Sequence, residues 1–164
     1  MKEITQLATK LGRCLQVLNA HVTIAESCTG GGITEAITRI PGSSAWFETS
    51  YITYSNREKT RQLGVSETLF TKGSAVNQEV VESMVRGAQK KSLSRFVVAV
   101  SGIAGPDGGL PDTPVGTVWL AFSVSNKVTT KLAYFTGNRN EVRRQTVMAA
   151  LNGLLRRAAA EIDI

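Results

Sequence analysis

Cysteine and histidine are scarce in this chain of 164 residues, which contains two cysteines and one histidine. Cys14 and Cys28 form no framework and no pair with metal-ligand spacing, so we expect neither a disulfide scaffold nor a metal site. A reducing, cytoplasmic compartment fits this usage. His21 lies at the start of a predicted strand, where a surface position is a better interpretation than a catalytic one.

Long hydrophobic runs are also missing. The uncharged stretches around 96–105 and 115–126 are shorter than the roughly 18 apolar residues that a membrane-spanning helix needs, so we expect no membrane partner. The N-terminus carries an early acid, Glu3, and no apolar segment typical of a secretion signal. With 42% hydrophobic and 20% charged residues, the composition is that of one globular domain, which we expect to span 1–164.

Aromatic residues are few, and they are not interleaved with a basic stripe. The chain has 19 basic and 13 acidic residues, a net charge of +6, which favours an anionic partner. A phosphate-bearing small molecule and a nucleic acid both fit this charge. Because the basic residues are scattered and the aromatic–basic pattern is missing, the sequence argues against nucleic acid.

Hydrophobic periodicity predicts helices that alternate with strands. Helical spacing and capping residues indicate helices over 4–19, 33–40, 57–63, 77–91 and 138–160. Runs of β-branched and aromatic residues indicate strands over 22–25, 47–54, 95–100, 115–124 and 128–135. This order predicts an α/β fold, a three-layer α/β/α sandwich with a mixed, mostly parallel sheet.

A polar, glycine-rich turn follows the first predicted strand and opens the second helix. Backbone N–H groups and the helix dipole in such a turn would stabilise an anion or a developing oxyanion. Ser27 and Cys28 are candidate nucleophiles in that field. The glycines, including Gly30 and Gly31, match neither a dinucleotide fingerprint nor a P-loop, and tight packing of helix on strand explains them equally well.

Hydroxyl, amide and lysine side chains are concentrated after the second predicted strand, where catalytic groups are favoured. Lys59 stands between Arg57 and Arg61, whose charges disfavour its protonated form. Burial would lower its pKa further, as a general base for a serine requires. A solvated helix lysine is the alternative, and without other evidence the pattern favours that alternative.

Two further segments complete the candidate site. The loop over 101–109 is dense in glycine and proline, follows the buried third strand and can approach a ligand closely. In the last helix, projection of the apolar stripe puts Arg143 and Arg144 at the edges of the inward face, where a phosphate is a suitable partner. A plain surface loop and an internal salt bridge to Glu26 or Glu48 are the respective alternatives.

Several longer motifs stand in one order along the chain. They are Ala-Glu-Ser-Cys-Thr-Gly-Gly at 25–31, Gly-Ser-Ser-Ala-Trp-Phe at 42–47, Thr-Tyr-Ser-Asn at 53–56, Ser-Gly-Ile-Ala-Gly-Pro-Asp-Gly-Gly at 101–109 and Pro-Val-Gly-Thr-Val-Trp at 114–119. With these motifs the chain resembles the CinA C-terminal domain family, and within it the stand-alone nicotinamide mononucleotide deamidases. The resemblance covers nearly the whole chain, and the number of motifs makes it specific.

The resemblance implies an α/β/α fold and hydrolysis of nicotinamide mononucleotide to nicotinate mononucleotide and ammonia. It implies a serine–lysine mechanism without metal or cofactor, in which Ser27 is the nucleophile and Lys59 is the base that takes its proton, directly or through Tyr54 beside them. Backbone N–H groups of the turn would hold the oxyanion. The candidate binding residues are Cys28, Thr29, Gly30, Gly31, Asn56, Gly102, Ala104, Gly105, Arg143 and Arg144.

Two functions of other classes remain as alternatives. One is a non-catalytic nucleotide- or DNA-associated module in a competence or damage response. The other is a nucleotide-sensing domain that has lost turnover. The expected partner is the small-molecule substrate, and the sequence leaves a homodimer open.

Overall fold

Five α-helices and five β-strands form the part of the chain that the computed structural model describes, residues 2–71 and 73–162. The helices are α1 Lys2–Val17, α2 Gly32–Thr38, α3 Asn56–Leu63, α4 Gln78–Ser92 and α5 Arg139–Ile162. The strands are β1 Val22–Glu26, β2 Phe47–Ile52, β3 Phe96–Gly102, β4 Thr117–Val124 and β5 Lys127–Tyr134. Short 3-10 helices occupy Ser43–Ala45 and Glu67–Phe70. The predicted order of elements is confirmed.

Several helix ends coincide with capping residues in the sequence. Asn77 Oδ1 accepts a hydrogen bond from the backbone N–H of Val80 at 2.9 Å and so caps α4. Asn138 and Glu141 each accept from the other's backbone N–H at the start of α5, which is a capping box. Gly64 closes α3 in the left-handed conformation, with a φ of 72°. These local signals explain why the helix boundaries were predictable.

The sheet has the strand order β2-β1-β3-β4-β5. The β1 strand runs parallel to β2 and to β3, whereas β3–β4 and β4–β5 are antiparallel pairs. The α/β class and the mixed sheet are confirmed, but the expectation of a mostly parallel sheet is wrong. The reason is that parallel neighbours need a crossover. No helix lies between β3 and β4, and only Ser125 and Asn126, both with left-handed φ, join β4 to β5.

Helices cover both faces of this sheet. One face packs against α1, α2 and α5 around residues such as Leu11, Ile24 and Leu154. The other packs mainly against α4, with residues such as Met84 and Val97 in its core. The β1 strand is buried along its whole length and β3 along nearly all of it; β3 is accordingly apolar from Phe96 to Val100, whereas β1 also buries Thr23 and Glu26.

The strand order determines where a site can form. The central strand β1 lies between β2 and β3, and all three run in the same direction. The residues that follow Glu26, Ile52 and Gly102 therefore meet at one edge of the sheet. Ligands of open α/β sheets bind at this carboxyl edge.

Candidate active site

Ser27 is the first residue after β1 and is buried, with 6% of its surface exposed. Its hydroxyl donates a hydrogen bond to the backbone oxygen of Tyr54 at 3.4 Å. Tyr54 belongs to the segment that follows β2. The end of one parallel strand thus positions the serine, and the end of its neighbour supplies the acceptor for its hydroxyl.

Glu26, the last residue of β1, holds the turn that carries the serine. Its side chain is fully buried, and its Oε1 accepts from Thr29 Oγ1 and from the backbone N–H groups of Gly31 and Ile33. Its Oε2 accepts from the backbone N–H and the hydroxyl of Thr34. The anion at the start of α2 is therefore this carboxylate, which stabilises the positive end of the helix. The N–H groups of Gly31, Ile33 and Thr34 are therefore not free for a ligand, and the alternative of a salt bridge from Glu26 to the arginines of α5 is wrong for the residues described.

Only part of the glycine-rich turn is free to bind an oxyanion. The N–H of Gly30 donates to Ser27 O and that of Gly32 donates to Thr29 O, both at 3.0 Å. Within residues 2–71 and 73–162, the backbone N–H groups of Cys28 and Thr29 donate to no other residue. These two groups, next to the serine, are the candidate oxyanion donors.

Lys59 of α3 is buried, with 4% of its surface exposed, so the interpretation as a solvated lysine is wrong. Its Nζ donates to Asn56 Oδ1 at 3.2 Å. Burial is the main cause that lowers the pKa of Lys59. We expected the charges of Arg57 and Arg61 to lower this pKa as well, but neither is among its causes. Arg57 is exposed, and Arg61 pairs with Glu58 at 3.4 Å.

Cys28 is the rival nucleophile beside Ser27. Burial raises the pKa of its thiol to about 12, and the nearby charge of Lys59 offsets this only in part. A neutral thiol is a poor nucleophile, since the thiolate is the reactive species. The neutral thiol of Cys28 also carries no negative charge that would stabilise the ammonium form of Lys59 at neutral pH. Both effects favour Ser27 as the nucleophile and Lys59 as its base.

A cavity of about 260 Å³ lies above these groups. Eight of the predicted site residues line it: Ser27, Cys28, Tyr54, Asn56, Lys59, Gly102, Ala104 and Gly105. The predicted residues outside its lining are Thr29, Gly30, Gly31, Arg143 and Arg144. The lining residues outside the predicted set are Ser101, Ile103, Asp107 and Gly108, which belong to the predicted loop over 101–109, and Ala75, Val76 and Arg139. The structure thus brings together the ends of β1, β2 and β3, as the sequence predicted.

The two predicted arginines of α5 lie in different surroundings. Arg143 Nε donates to Cys28 O and its Nη2 donates to Thr29 O, each at 3.2 Å, so it braces the nucleophile turn. Arg144 is exposed and its Nη2 lies 3.7 Å from Glu3 Oε2 on α1. The expectation that Arg144 faces inward is wrong, because one residue along a helix rotates the side chain by about 100°.

Arg139 is the cation of α5 that lines the cavity. Its Nη1 donates to Gly105 O at 2.8 Å, and its Nη2 donates to the Tyr54 hydroxyl at 3.0 Å. It therefore links the loop after β3 to the segment after β2 at the mouth of the cavity. The sequence held a signal for it, since Arg139 stands four residues before Arg143 and so shares its helix face.

Neither a metal centre nor a membrane span can be identified in residues 2–71 and 73–162. In these residues no three histidine, cysteine or acidic side chains are grouped so that they could hold a metal ion. None of the helices described is long and apolar enough to cross a membrane.

The sheet defines an α/β protein, and the buried serine, the buried lysine and the glycine-rich loop at the carboxyl ends of its parallel strands form a candidate small-molecule site. The model of the CinA C-terminal domain matches residues 4–158, and the chain belongs to this family. The family resemblance seen in the sequence is thereby confirmed.

Curated relatives and solved structures agree with this assignment. The chain is 66% identical to the nicotinamide-nucleotide amidohydrolase PncC of Pseudomonas putida, over 94% of this chain and 97% of that protein. It is 46% identical to the protein of the same name from Escherichia coli K12, over 93% of each. A CinA superfamily protein from Klebsiella pneumoniae has the same fold, with a TM-score of 0.91 and 32% identity over 96% of this chain and 98% of that one.

Proposed function

We propose that this protein hydrolyses the carboxamide of nicotinamide mononucleotide to nicotinate mononucleotide and ammonia. The observation that carries the proposal is that the buried hydroxyl of Ser27 and the buried amine of Lys59, whose pKa is lowered, line one small cavity. Relatives that carry the name nicotinamide-nucleotide amidohydrolase, at 66% and 46% identity over more than nine-tenths of the chain, support this class of enzyme.

In the proposed mechanism the neutral amine of Lys59 removes the proton of Ser27 as Oγ attacks the carboxamide carbon. The N–H groups of Cys28 and Thr29 stabilise the oxyanion that forms. The Lys59 ammonium then protonates the leaving nitrogen, which departs as ammonia and leaves an ester on Ser27. Water, deprotonated by Lys59, hydrolyses this ester to the nicotinate carboxylate and restores the serine.

Tyr54 is not needed as a proton relay between Ser27 and Lys59 in this mechanism. Its hydroxyl is bound to Arg139, and its side chain is 59% exposed. Its backbone oxygen is the group that contacts Ser27. The phenol of Tyr54 therefore lies at the mouth of the cavity. We propose that it helps to position the substrate.

The phosphate of the substrate needs a cation at the mouth of the cavity. We assign this role to Arg139, because its guanidinium lines the cavity and a guanidinium binds phosphate through two hydrogen bonds. Arg143 has a positioning role, since its hydrogen bonds hold the backbone of residues that flank the nucleophile. Asn56 orients the amine of Lys59.

Measurement of ammonia release from nicotinamide mononucleotide by the purified protein tests this function. Turnover with formation of nicotinate mononucleotide supports it. A folded protein that binds the mononucleotide without turnover is instead the nucleotide-sensing domain, and one that binds only DNA is the non-catalytic module. A single domain over 1–164, a cytoplasmic location and a homodimer stay predictions.

A further inference from the structure

A second, larger cavity lies away from the candidate active site, between α1, α5 and the outer strand β5. We call it the α1–α5 trough, and its volume is about 760 Å³, within the range of small-molecule sites. It forms because α5 packs on β3 and β4, while β5 extends the sheet beyond the helices that cover its centre.

The floor of the trough is apolar and firmly packed. It includes Leu7 of α1, Phe122 of β4, Phe135 after β5 and Met148 of α5. The ring of Phe122 packs on Gly153, where a Cβ would overlap the ring. The Phe122 ring is 1% exposed and lies beneath Arg157, so a planar, apolar group such as an aromatic base would contact the half-buried side chains of Leu7, Phe135 and Met148.

The rim of the trough is cationic. It carries Lys10, Lys131, Arg156 and Arg157, and in residues 2–71 and 73–162 no carboxylate lies within 4.0 Å of their nitrogen atoms. The lining carboxylate, Glu3, lies 3.7 Å from Arg144. Four cations around one cavity, with no acidic partner among the residues described, favour an anionic ligand.

Arg157 shows that part of this site is preorganised. Its guanidinium lies over the Phe122 ring, 3.9 Å from the ring centre. Its Nη1 donates to Gly153 O at 3.0 Å and its Nη2 to Thr129 Oγ1 at 3.1 Å. The cation is thus held above the aromatic floor before any ligand binds, which lowers the entropy cost of binding.

We infer that the α1–α5 trough binds a nucleotide that carries at least two negative charges. Inorganic phosphate alone would leave the apolar floor in water, and a neutral nucleoside would leave the cations without a partner. The side chains of Gln6 and Asn152 also line the trough, form no hydrogen bond with other residues described, and can bind a base edge or a ribose. This site is separate from the proposed active site.

Fluorescence anisotropy with N-methylanthraniloyl-ADP tests the inference directly. We expect saturable binding that unlabelled ADP reverses, with adenosine and pyrophosphate each competing at least about 10-fold more weakly. The double variant Lys131→Gln/Arg156→Gln should weaken binding by about 10-fold or more, because both side chains are exposed rim cations. Thermal unfolding checks that the variant is folded.

Two control variants distinguish binding in the trough from binding elsewhere on the protein. Lys90→Gln/Lys91→Gln removes the same charge from exposed positions on α4, and it should leave the affinity unchanged. Arg139→Gln at the candidate active site should also leave it unchanged. The inference would be overturned by absence of binding, or by pyrophosphate that competes as well as ADP. It would also be overturned if the α4 double variant lost as much affinity as the trough variant, or if Arg139→Gln alone lost affinity. Because ammonia release is not the readout, the result does not depend on the proposed enzyme activity.

Discussion

The Nζ atom of Lys59 lies 3.2 Å from Oδ1 of Asn56, almost one helical turn earlier in α3. A neutral amide oxygen accepts this hydrogen bond, and an amide favours the ammonium form less strongly than a carboxylate does. Asn56 can therefore orient the amine while burial keeps its pKa below the usual range. A general base needs both properties, a fixed direction and a proton affinity suited to the working pH.

Replacement of Lys59 with Met should abolish ammonia release, because the variant lacks the base. Lys59→Arg should not restore it, since a guanidinium stays protonated. In the unmodified protein the rate should rise with pH along a limb that lies below the ordinary lysine value of 10.5, because burial lowers the pKa of this amine. A pH–rate series measures this limb. A methionine variant with the same rates and the same limb would contradict the assignment.

Lys59→Met should also change how stability depends on pH. Burial lowers the pKa of Lys59 in the folded state, so between that value and 10.5 the unfolded chain binds more protons. The stability of the unmodified protein should therefore rise with pH through this window, and that contribution should be absent from the variant. At neutral pH the variant should be more stable, because folding of the unmodified protein either buries the Lys59 ammonium or removes its proton, and both cost free energy. Urea unfolding of both proteins at pH 7 and at higher pH measures the pH dependence and the difference in stability. A variant that is less stable than the unmodified protein at pH 7 would contradict the prediction.

Ser27→Ala and Cys28→Ala form a matched pair, because each removes one polar atom from adjacent buried residues. Ser27→Ala should lower kcat by roughly 10³- to 10⁶-fold while the melting temperature stays close to that of the parent. Cys28→Ala should retain most of the rate, because burial keeps this thiol protonated and Ser27 is the proposed nucleophile. Loss of turnover in the cysteine variant alone would reverse the assignment.

The fold was largely predictable because its signals are local. Helical periodicity and the caps at Asn77, Asn138 and Gly64 place the helices within a few residues of their observed ends. The direction of β4 was not predictable from periodicity, because both parallel and antiparallel strands of a covered sheet are apolar. The missing crossover helix between β3 and β4 is the sequence signal that contradicts a mostly parallel sheet.

The sequence predicted which residues meet at the site where strand ends position them. It did not predict contacts that depend on the direction in which a side chain points. Ser27, Tyr54 and Lys59 follow two strands that turn out to be neighbours. The sequence could not show that Glu26 turns back onto α2 and occupies its N-terminus, because this depends on side-chain rotamers. It also could not separate Arg143 from Arg144, because both lie at the edges of the projected inward face, and a projection does not show which edge a neighbouring element covers.

Gly87→Ala tests the contact between α3 and α4. A Cβ at Gly87 would overlap the backbone carbonyl oxygen of Leu63, which cannot move without shifting the end of α3. Although alanine is the better helix former, we expect a loss of about 1–3 kcal/mol in the free energy of unfolding from overpacking. Gly32→Ala is the control, since its Cβ would meet side chains and no backbone, Val147 Cγ2 at 3.1 Å and Thr29 Cβ at 3.9 Å. Denaturant unfolding of both variants measures the difference, and a stabilised Gly87→Ala would show that the helices are less closely packed.

Arg139→Gln should lower the preference for nicotinamide mononucleotide over nicotinamide riboside, which has the same carboxamide and ribose but no phosphate. Loss of one charge-assisted contact should reduce the ratio of the two kcat/KM values by about 10- to 150-fold, because 1.5–3 kcal/mol of binding is lost with the phosphate alone. Arg144→Gln removes the same charge five residues later on an exposed face, so it should keep the full preference. Tyr54→Phe breaks the hydrogen bond with Arg139 but retains the cation, and it should also keep most of the preference. If Arg144→Gln loses the preference and Arg139→Gln keeps it, the phosphate binds on the α1 side of α5 and the role assigned to Arg139 is wrong.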